Sequence, residues 1–404
     1  MSPKNLGAGL LLKGAVLVLI ILISSSITFN CILVVAFLTS TRQIPSFGTI
    51  GLISPLHIEG RYVMDNYGNV VVLKGVQKHG FEDDAGGRWK DETGTYFNRF
   101  TESVVRRNLQ VMRSWGANEL RVFDRVRFWQ ENTPDSNGMP HRDIISRLIE
   151  IAGEEGLYVV YCLFSMDAGS GHHGVPWGTT QIPTRADFVD LWVDIATELG
   201  RYPNVLFELW NEVVRSRDDW FTGCNETIRA VRGVADNIII IQWDWDVWYR
   251  EGQYEGVCTL DWVNDPRIQG QNVLFSTHMY RDAKGFYLYE DGTEDIFYTY
   301  EDVGKAFVAE KVQECVETWN KPLYVGEYGP SRTGTEALEP HELESCDNGL
   351  SLLDGWGISY NVMWWWIGMA YRLFTETDNR VYYDDPAYIT EWGSITRTHL
   401  SSYS

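Results

Sequence analysis

The sequence predicts a (β/α)8 TIM barrel behind an N-terminal hydrophobic anchor, and three observations carry that reading. Eight short apolar runs, rich in β-branched residues, recur along the chain, and segments of helical period separate them. The first run, Val70–Val76, leads into no Gly-rich dinucleotide turn, since Lys74-Gly75-Val76-Gln77 does not fit one. Continuous apolar runs suit parallel strands buried on both faces, and eight strand–helix units close a barrel. The missing glycine turn argues against the competing doubly wound sheet.

Residues 1–42 are the first element. No charged residue lies between Gly14 and Thr41, Lys4 and Lys13 precede the stretch, and Ser24-Ser25-Ser26 divides the apolar cores Ala15–Ile23 and Ile27–Leu38. A signal peptide has an apolar region of about 7–15 residues, whereas a spanning helix needs about 20. With no convincing small-x-small cleavage site, an uncleaved signal anchor is expected, and a cleaved signal peptide is the alternative. The positive-inside tendency puts the body outside the cell, membrane-anchored or, after cleavage, secreted. A polar linker at 43–56 leads into a single body at 57–404.

The body opens with a hairpin signal, Arg61-Tyr62-Val63-Met64 and Val70-Val71-Val72-Leu73 around Asp65-Asn66-Tyr67-Gly68-Asn69. The barrel strands are expected at Val70–Val76, Asn118–Phe123, Leu157–Phe164, Val205–Trp210, Ile238–Trp243, Val273–His278, Leu323–Glu327 and Tyr360–Trp366. Helices are expected at 101–115, 142–155 and 184–199, the last with Thr184 as N-cap. Others follow from Ile228/Val231/Val234, from Val303/Phe307/Val308/Val312/Val316 and from Leu350/Leu353. No internal repeat and no second domain are visible.

Composition narrows the function classes. The net charge is −21, and because residues 1–42 hold three basic residues and no acid, the remainder carries −24. So acidic a body repels phosphate backbones, which makes nucleic acid an improbable partner. Seventeen Trp exceed what a core of this size needs, so some are expected to line a cleft. The six Cys form no CxxC pair and His172-His173 has no recognisable third ligand, so neither a metal site nor a cofactor is expected. Asn225-Glu226-Thr227 is a glycosylation sequon.

The chemistry lies at the strand ends. Phe207-Glu208-Leu209-Trp210-Asn211-Glu212 and Pro322-Leu323-Tyr324-Val325-Gly326-Glu327 are apolar runs that each end in a glutamate. On a barrel, groups at the C-terminal strand ends share one mouth. Two carboxyl groups there suit glycosidic cleavage, which needs one group to protonate the leaving oxygen and another to attack or to activate water. Glu208, four residues before Glu212, reads as a structural hydrogen-bonder.

These motifs resemble glycoside hydrolase family 5, the cellulase family of the large retaining (β/α)8 clan, over about residues 57–395. The resemblance implies Glu212 as acid/base and Glu327 as nucleophile, with Arg121 bonded to the nucleophile. It further implies that His278 and Tyr280 form the strand-six His-x-Tyr and that Trp365 lies under the reacting sugar, with Trp364 as the alternative register. Asn211 is suited to donate to the sugar 2-hydroxyl. His79, Trp177 and Trp243 are expected at the substrate, with Asp167, Asp244 and Asp246 as neighbouring loop acids. The family usually carries a His near the end of strand three, where this chain reads Tyr161-Cys162-Leu163-Phe164-Ser165, and Leu120-Arg121-Val122-Phe123 is similar to the family's mannanases. The expectation is a retaining endo-β-1,4-glycanase acting on a β-linked glucan polysaccharide or oligosaccharide. The alternatives are an endo-β-1,4-mannanase and, from another class, a barrel that only binds carbohydrate.

Overall fold

A computed structural model describes residues 53–78, 100–164, 174–243 except 214, 260–280, 312–330, 338–365 except 339, 372–375 and 386–402, with the backbone of 89–90 and 96–97. The expected anchor, the linker up to residue 52 and His172-His173 lie outside these residues.

The eight barrel strands are β3 (Lys74–Gln77), β6 (Glu119–Arg125), β7 (Tyr158–Phe164), β8 (Val205–Glu208), β9 (Ile239–Gln242), β10 (Val273–Tyr280), β11 (Leu323–Gly329) and β12 (Ser359–Val362). They pair in sequence order, all parallel, and β12 closes on β3. All eight expected runs supply a strand. The hairpin β1 (Leu56–Glu59) and β2 (Tyr62–Asp65) precedes them, and the short strands β4 (Trp89–Lys90) and β5 (Tyr96–Phe97) pair with each other.

The hairpin differs from expectation. β2 pairs backwards onto Leu56–Glu59 across Gly60-Arg61, and it meets the following segment only at the bridge Met64–Val70. Gly60 sits at φ +59, as a two-residue hairpin turn demands. The Asp65–Asn69 turn does form, with Asp65 accepting from the Tyr67 and Asn69 backbones. It turns the chain into the barrel instead of joining two long strands.

Side-chain alternation divides the barrel interior into tiers. Leu73, Val160, Leu206, Ile240, Leu274 and Tyr324 make an apolar floor, and Leu56 and Val63 of the hairpin pack against it. The Tyr158 hydroxyl donates to the Ser54 carbonyl at 2.9 Å and the Ile58 N–H to Asn272 Oδ1 at 3.0 Å, holding that plug in place. One polar side chain, Glu119, stands among these residues with no exposed surface. Asn361 donates to it at 2.9 Å and the Tyr324 hydroxyl lies 3.3 Å away. It fits because residue 75 is glycine: a Cβ there would lie 2.0 Å from Glu119 Oε2.

Helices α1 (Glu102–Ser114), α2 (Val126–Glu131), α3 (His141–Glu154), α4 (Arg185–Leu199), α5 (Arg217–Val231), α6 (Pro340–Trp356) and α7 (Glu391–Ser401) are distributed along the chain between and after the strands. Thr184 caps α4 in a reciprocal box with Asp187, as its position implied. Two helices have no expected counterpart. α2 is only six residues long and follows β6 with no loop, so it is too short for a period. α7 buries Trp392, Gly393, Thr396, His399 and Leu400, a face too polar to read as an apolar stripe. Polar contacts hold it instead: Lys74 pairs with Asp354, and His399 meets Asp354 and Asp347, each at 2.8 Å. Of the expected helix at 303–316, residues 303–311 lie outside the described set, and Glu314–Thr318 forms a π-turn.

Cys162, Cys224, Cys315 and Cys346 are buried free thiols, so none of them enters a disulfide. The sequon lies within α5, where Asn225 braces the 267–269 loop through both ends of its amide and Thr227 is buried. A glycan on Asn225 would be carried by Nδ2, the nitrogen that donates to the Arg267 carbonyl.

Burial pushes the Glu119 carboxyl up to about 8, against the pull of Asn361, Arg121 and Tyr324. In the unfolded chain it loses its proton near 4.5; in the fold it keeps it until about 8. Between those values the folded state binds the extra proton, so this group's contribution to stability falls as pH rises and levels off above the window. Glu119→Gln keeps the hydrogen-bonding shape and has no proton to lose. Thermal unfolding of both proteins at pH 5 and pH 8 should show the wild type losing ground to the variant at the higher pH, whereas a constant difference would contradict a protonated Glu119.

Candidate active site

The mouth of the barrel is built around Arg121. Its guanidinium has no exposed surface, and every donor position meets an acceptor. Nε and Nη2 form a fork on Glu208 at 2.7 and 2.9 Å. Nη1 donates to Glu327 Oε1 at 2.8 Å and to Gln77 Oε1 at 2.6 Å. Nη2 also reaches Asn211 Oδ1 at 2.9 Å and Cys162 Sγ at 3.5 Å. A buried cation of this kind persists only when opposite charges and acceptors surround it. Glu208 is thus the clamp on Arg121, in keeping with its structural reading.

Glu327 reaches this tier through a bulge. In β11, Tyr324 faces the interior and Val325 faces the helices, so strict alternation would turn Glu327 outward. The register against β10 shifts between Thr277 and His278, which gives β11 one extra residue and sets Glu327 level with His278. Gly326 absorbs the bend, since a Cβ there would come within 2.5 Å of Ser276 Oγ.

Glu212 comes from the segment after β8. The Leu209 N–H still donates to Ile240 of β9, the Asn211 N–H turns to Leu163 of β7, and the Glu212 N–H finds the side-chain oxygen of Gln242 at 2.9 Å. Glu212 itself sits at φ +49. An L-residue in the left-handed region stores about 1–3 kcal/mol and persists only where its surroundings over-determine it.

His278 joins the two glutamates. Its Nδ1 lies 3.2 Å from Glu212 Oε1 and 3.4 Å from Glu327 Oε2. One carboxylate oxygen of each glutamate and the ring nitrogen all lie within 4.8 Å of one another, a cluster that could also hold a metal ion. Burial works to lower the imidazole's affinity for its proton. The charges of Glu327 and Glu212 and the bond to Glu212 outweigh it, and the net shift is upward. At Cys162, burial and the Glu208 charge push the thiol well up, so it stays protonated.

The other expected site residues divide. Asn211 is buried beside Arg121. Tyr280 ends β10 opposite Gly329, its side chain outside the described set, as are all of His79, Asp167, Asp244 and Asp246. Trp365 is fully buried and faces away from the mouth: its Nε1 donates to Asn108 of α1 at 3.2 Å, and it packs edge-on to Trp115 and Phe374. Of the two described members of the triplet, the alternative register, Trp364, is the partly buried one. Trp177 lies between the Trp220 ring, stacked at 5.7 Å, and the Arg215 guanidinium at 5.1 Å. Trp243 packs on Phe221 with Arg217 over its ring at 4.5 Å. Both rings are buried, not open sugar platforms, because protein groups lie against their faces. Gln77 and Gln242 were not expected. Each is a polar residue closing a buried apolar strand, the same signal that singled out Glu212.

A family model described as cellulase (glycosyl hydrolase family 5) matches residues 64–368. The fold is similar to an endocellulase from the archaeon Pyrococcus horikoshii, 18% identical, with 86% of this chain and 98% of that chain covered at a TM-score of 0.62. It is also similar to the catalytic domain of a Thermobifida fusca endoglucanase, 19% identical, covering 86% and 97% at 0.59. A mannanase catalytic domain from Streptomyces sp. SirexAA-E is 18% identical, covering 88% and 92% at 0.53. No curated protein matches the chain.

Removing the clamp tests the role of Arg121. Glu208→Ala leaves a buried guanidinium short of a counter-charge and should cost about 3–5 kcal/mol in urea unfolding. Glu208→Gln, which keeps one acceptor, should cost clearly less. Equal, small losses would mean that Arg121 is held by something else.

Proposed function

The chain belongs to glycosyl hydrolase family 5, and from that premise we propose that it hydrolyses a β-1,4-linked glucan internally and with retention, by double displacement. As a family member it is a glycoside hydrolase acting on polysaccharide or oligosaccharide. In the proposed reaction, Glu327 attacks the anomeric carbon while Glu212 gives a proton to the leaving oxygen. Water then releases the glycosyl-enzyme, with Glu212 taking the proton back.

One observation carries this reading: one carboxylate oxygen of Glu212 and one of Glu327 lie within 4.8 Å of each other. Retaining enzymes hold their carboxyl groups about 5–5.5 Å apart, and inverting enzymes leave about 6.5–9.5 Å for a water. The neighbours of each group agree with its role. Arg121 beside Glu327 favours the ionised attacker. When Glu327 becomes an ester, Glu208 still balances Arg121, so the intermediate strands no buried charge. Asn211 is at hand for the sugar 2-hydroxyl, and Trp364 is the proposed platform for its apolar face. His278 between the carboxylates holds both in register. A barrel that only bound carbohydrate would gain nothing from such a charged pair.

We also propose that residues 1–42 export the body and anchor it to a membrane, given their long uncharged apolar stretch and the −24 charge that follows. Carbonate extraction of membranes from expressing cells reads this directly, since release of an intact chain would contradict it.

Glu327→Ala should abolish turnover of activated β-glycosides, and azide should restore it with an inverted glycosyl azide as product. Unchanged turnover would remove Glu327 from the role. Glu212→Ala should slow substrates with poor leaving groups by about 100-fold or more and spare those with good ones. A panel of carboxymethyl cellulose, lichenan, xyloglucan and galactomannan with product-length analysis identifies the polymer. Preference for galactomannan would replace the glucanase reading with the mannanase one.

A further inference from the structure

We propose that Gln242 is a positioning residue for the acid/base: its side-chain oxygen holds the backbone of Glu212 in the left-handed conformation that aims the carboxyl group into the mouth. This rests on the reading of Glu212 as acid/base.

The local hydrogen-bonding pattern leaves little alternative. Main-chain pairing of β8 with β9 registers Phe207 with Ile239 and Glu208 with Ile240, and it extends one bond further through Leu209. Beyond that point the Gln242 carbonyl meets the buried Trp220 indole, which donates to it at 2.8 Å, and the Glu212 N–H goes elsewhere. The Gln242 side chain extends the ladder in its place and accepts the Glu212 N–H at 2.9 Å. Gln242 has no exposed surface and follows the buried run Ile238–Ile241. A polar side chain at such a site is retained only where it is hydrogen-bonded.

The surrounding contacts act on other residues. Arg121 holds Asn211 through its side chain, Leu163 holds the Asn211 N–H, and Val213 is anchored by burial. These fix the residues flanking Glu212 but not the rotation of its own peptide. That rotation sets where the carboxyl group leaves the chain, and His278 at 3.2 Å then receives it. A plain apolar residue at 242 would leave the N–H without this acceptor, and the peptide would turn until it found another. The proton donor would then miss the leaving oxygen, although its chemistry would be intact.

Leaving-group dependence separates this role from a merely structural one. Gln242→Leu should lower kcat/KM on unactivated oligosaccharides by about 100-fold and on 2,4-dinitrophenyl glycosides, which need no acid, by less than about threefold. Gln242→Asn, with the shorter reach, should show the same split at about tenfold, and it serves if the Leu variant does not fold. Gln242→Glu keeps an acceptor oxygen at the original reach and should recover most of the loss. Equal losses on the two substrate classes, no loss on either, or a Glu variant no better than Leu would overturn the assignment. Glu212→Ala is the reference: if it too lacks leaving-group dependence, the acid reading fails, whereas a split there without one at 242 removes Gln242 alone.

Discussion

The mouth of this barrel depends on one buried guanidinium. Arg121 stands where an apolar barrel would otherwise continue, and its charge must be met inside the protein. The bidentate Glu208 settles its orientation, because a planar fork can match a carboxylate in few ways. With that plane set, the remaining donors point at Glu327, Gln77 and Asn211. Three strands and one post-strand segment thereby converge on a single side chain. The same ion that would destabilise an unpaired site gives this one its geometry.

The tiers beneath and beside it follow from that demand. The apolar floor and the hairpin plug keep water away from the network, which strengthens each of its hydrogen bonds. Glu119 is the exception within the floor, and it is tolerated as a neutral acid rather than a charge. The outer shell meets its polar groups differently. Lys74, Asp354 and His399 tie the last helix to the first barrel strand through ions that reach the protein's edge. Burial sorts these groups: the deepest are matched or neutral, and the outer chain of ions runs from buried Lys74 to exposed Asp347.

Much of this was legible in the residues. Strands buried on both faces leave continuous apolar runs, so all eight could be found, and carboxylates that close such runs stand out by contrast. Arg121 and His278 were legible through the family resemblance, and Asn211 through its place beside Glu212 at the end of such a run. What escaped notice depends on main-chain detail. The backward pairing of β2 reflects competition between two turns, Gly60-Arg61 and Asp65–Asn69, that composition does not rank. Tryptophans were misjudged because their abundance suggested a cleft, whereas Trp177, Trp243 and Trp365 have their faces covered by neighbours distant in sequence. The function of Gln242 required knowing that the Trp220 indole donates to its carbonyl.

The bulge in β11 carries a consequence for how this chain can vary. Glu327 faces inward because β11 takes up Gly326 as a bulge, an extra residue opposite its partner, so the local backbone puts the carboxylate in the mouth. Were the bulge ironed out with Gly326 kept in the strand, the faces of the next two side chains would exchange. Glu327 would turn toward the helices, and Tyr328, whose hydroxyl is docked on the Cys346 carbonyl, would leave that mooring for the barrel interior. A side chain at 326 works against the bulge, because its Cβ would come within 2.5 Å of Ser276 Oγ, so this glycine guards both the carboxylate in the mouth and the packing of α6.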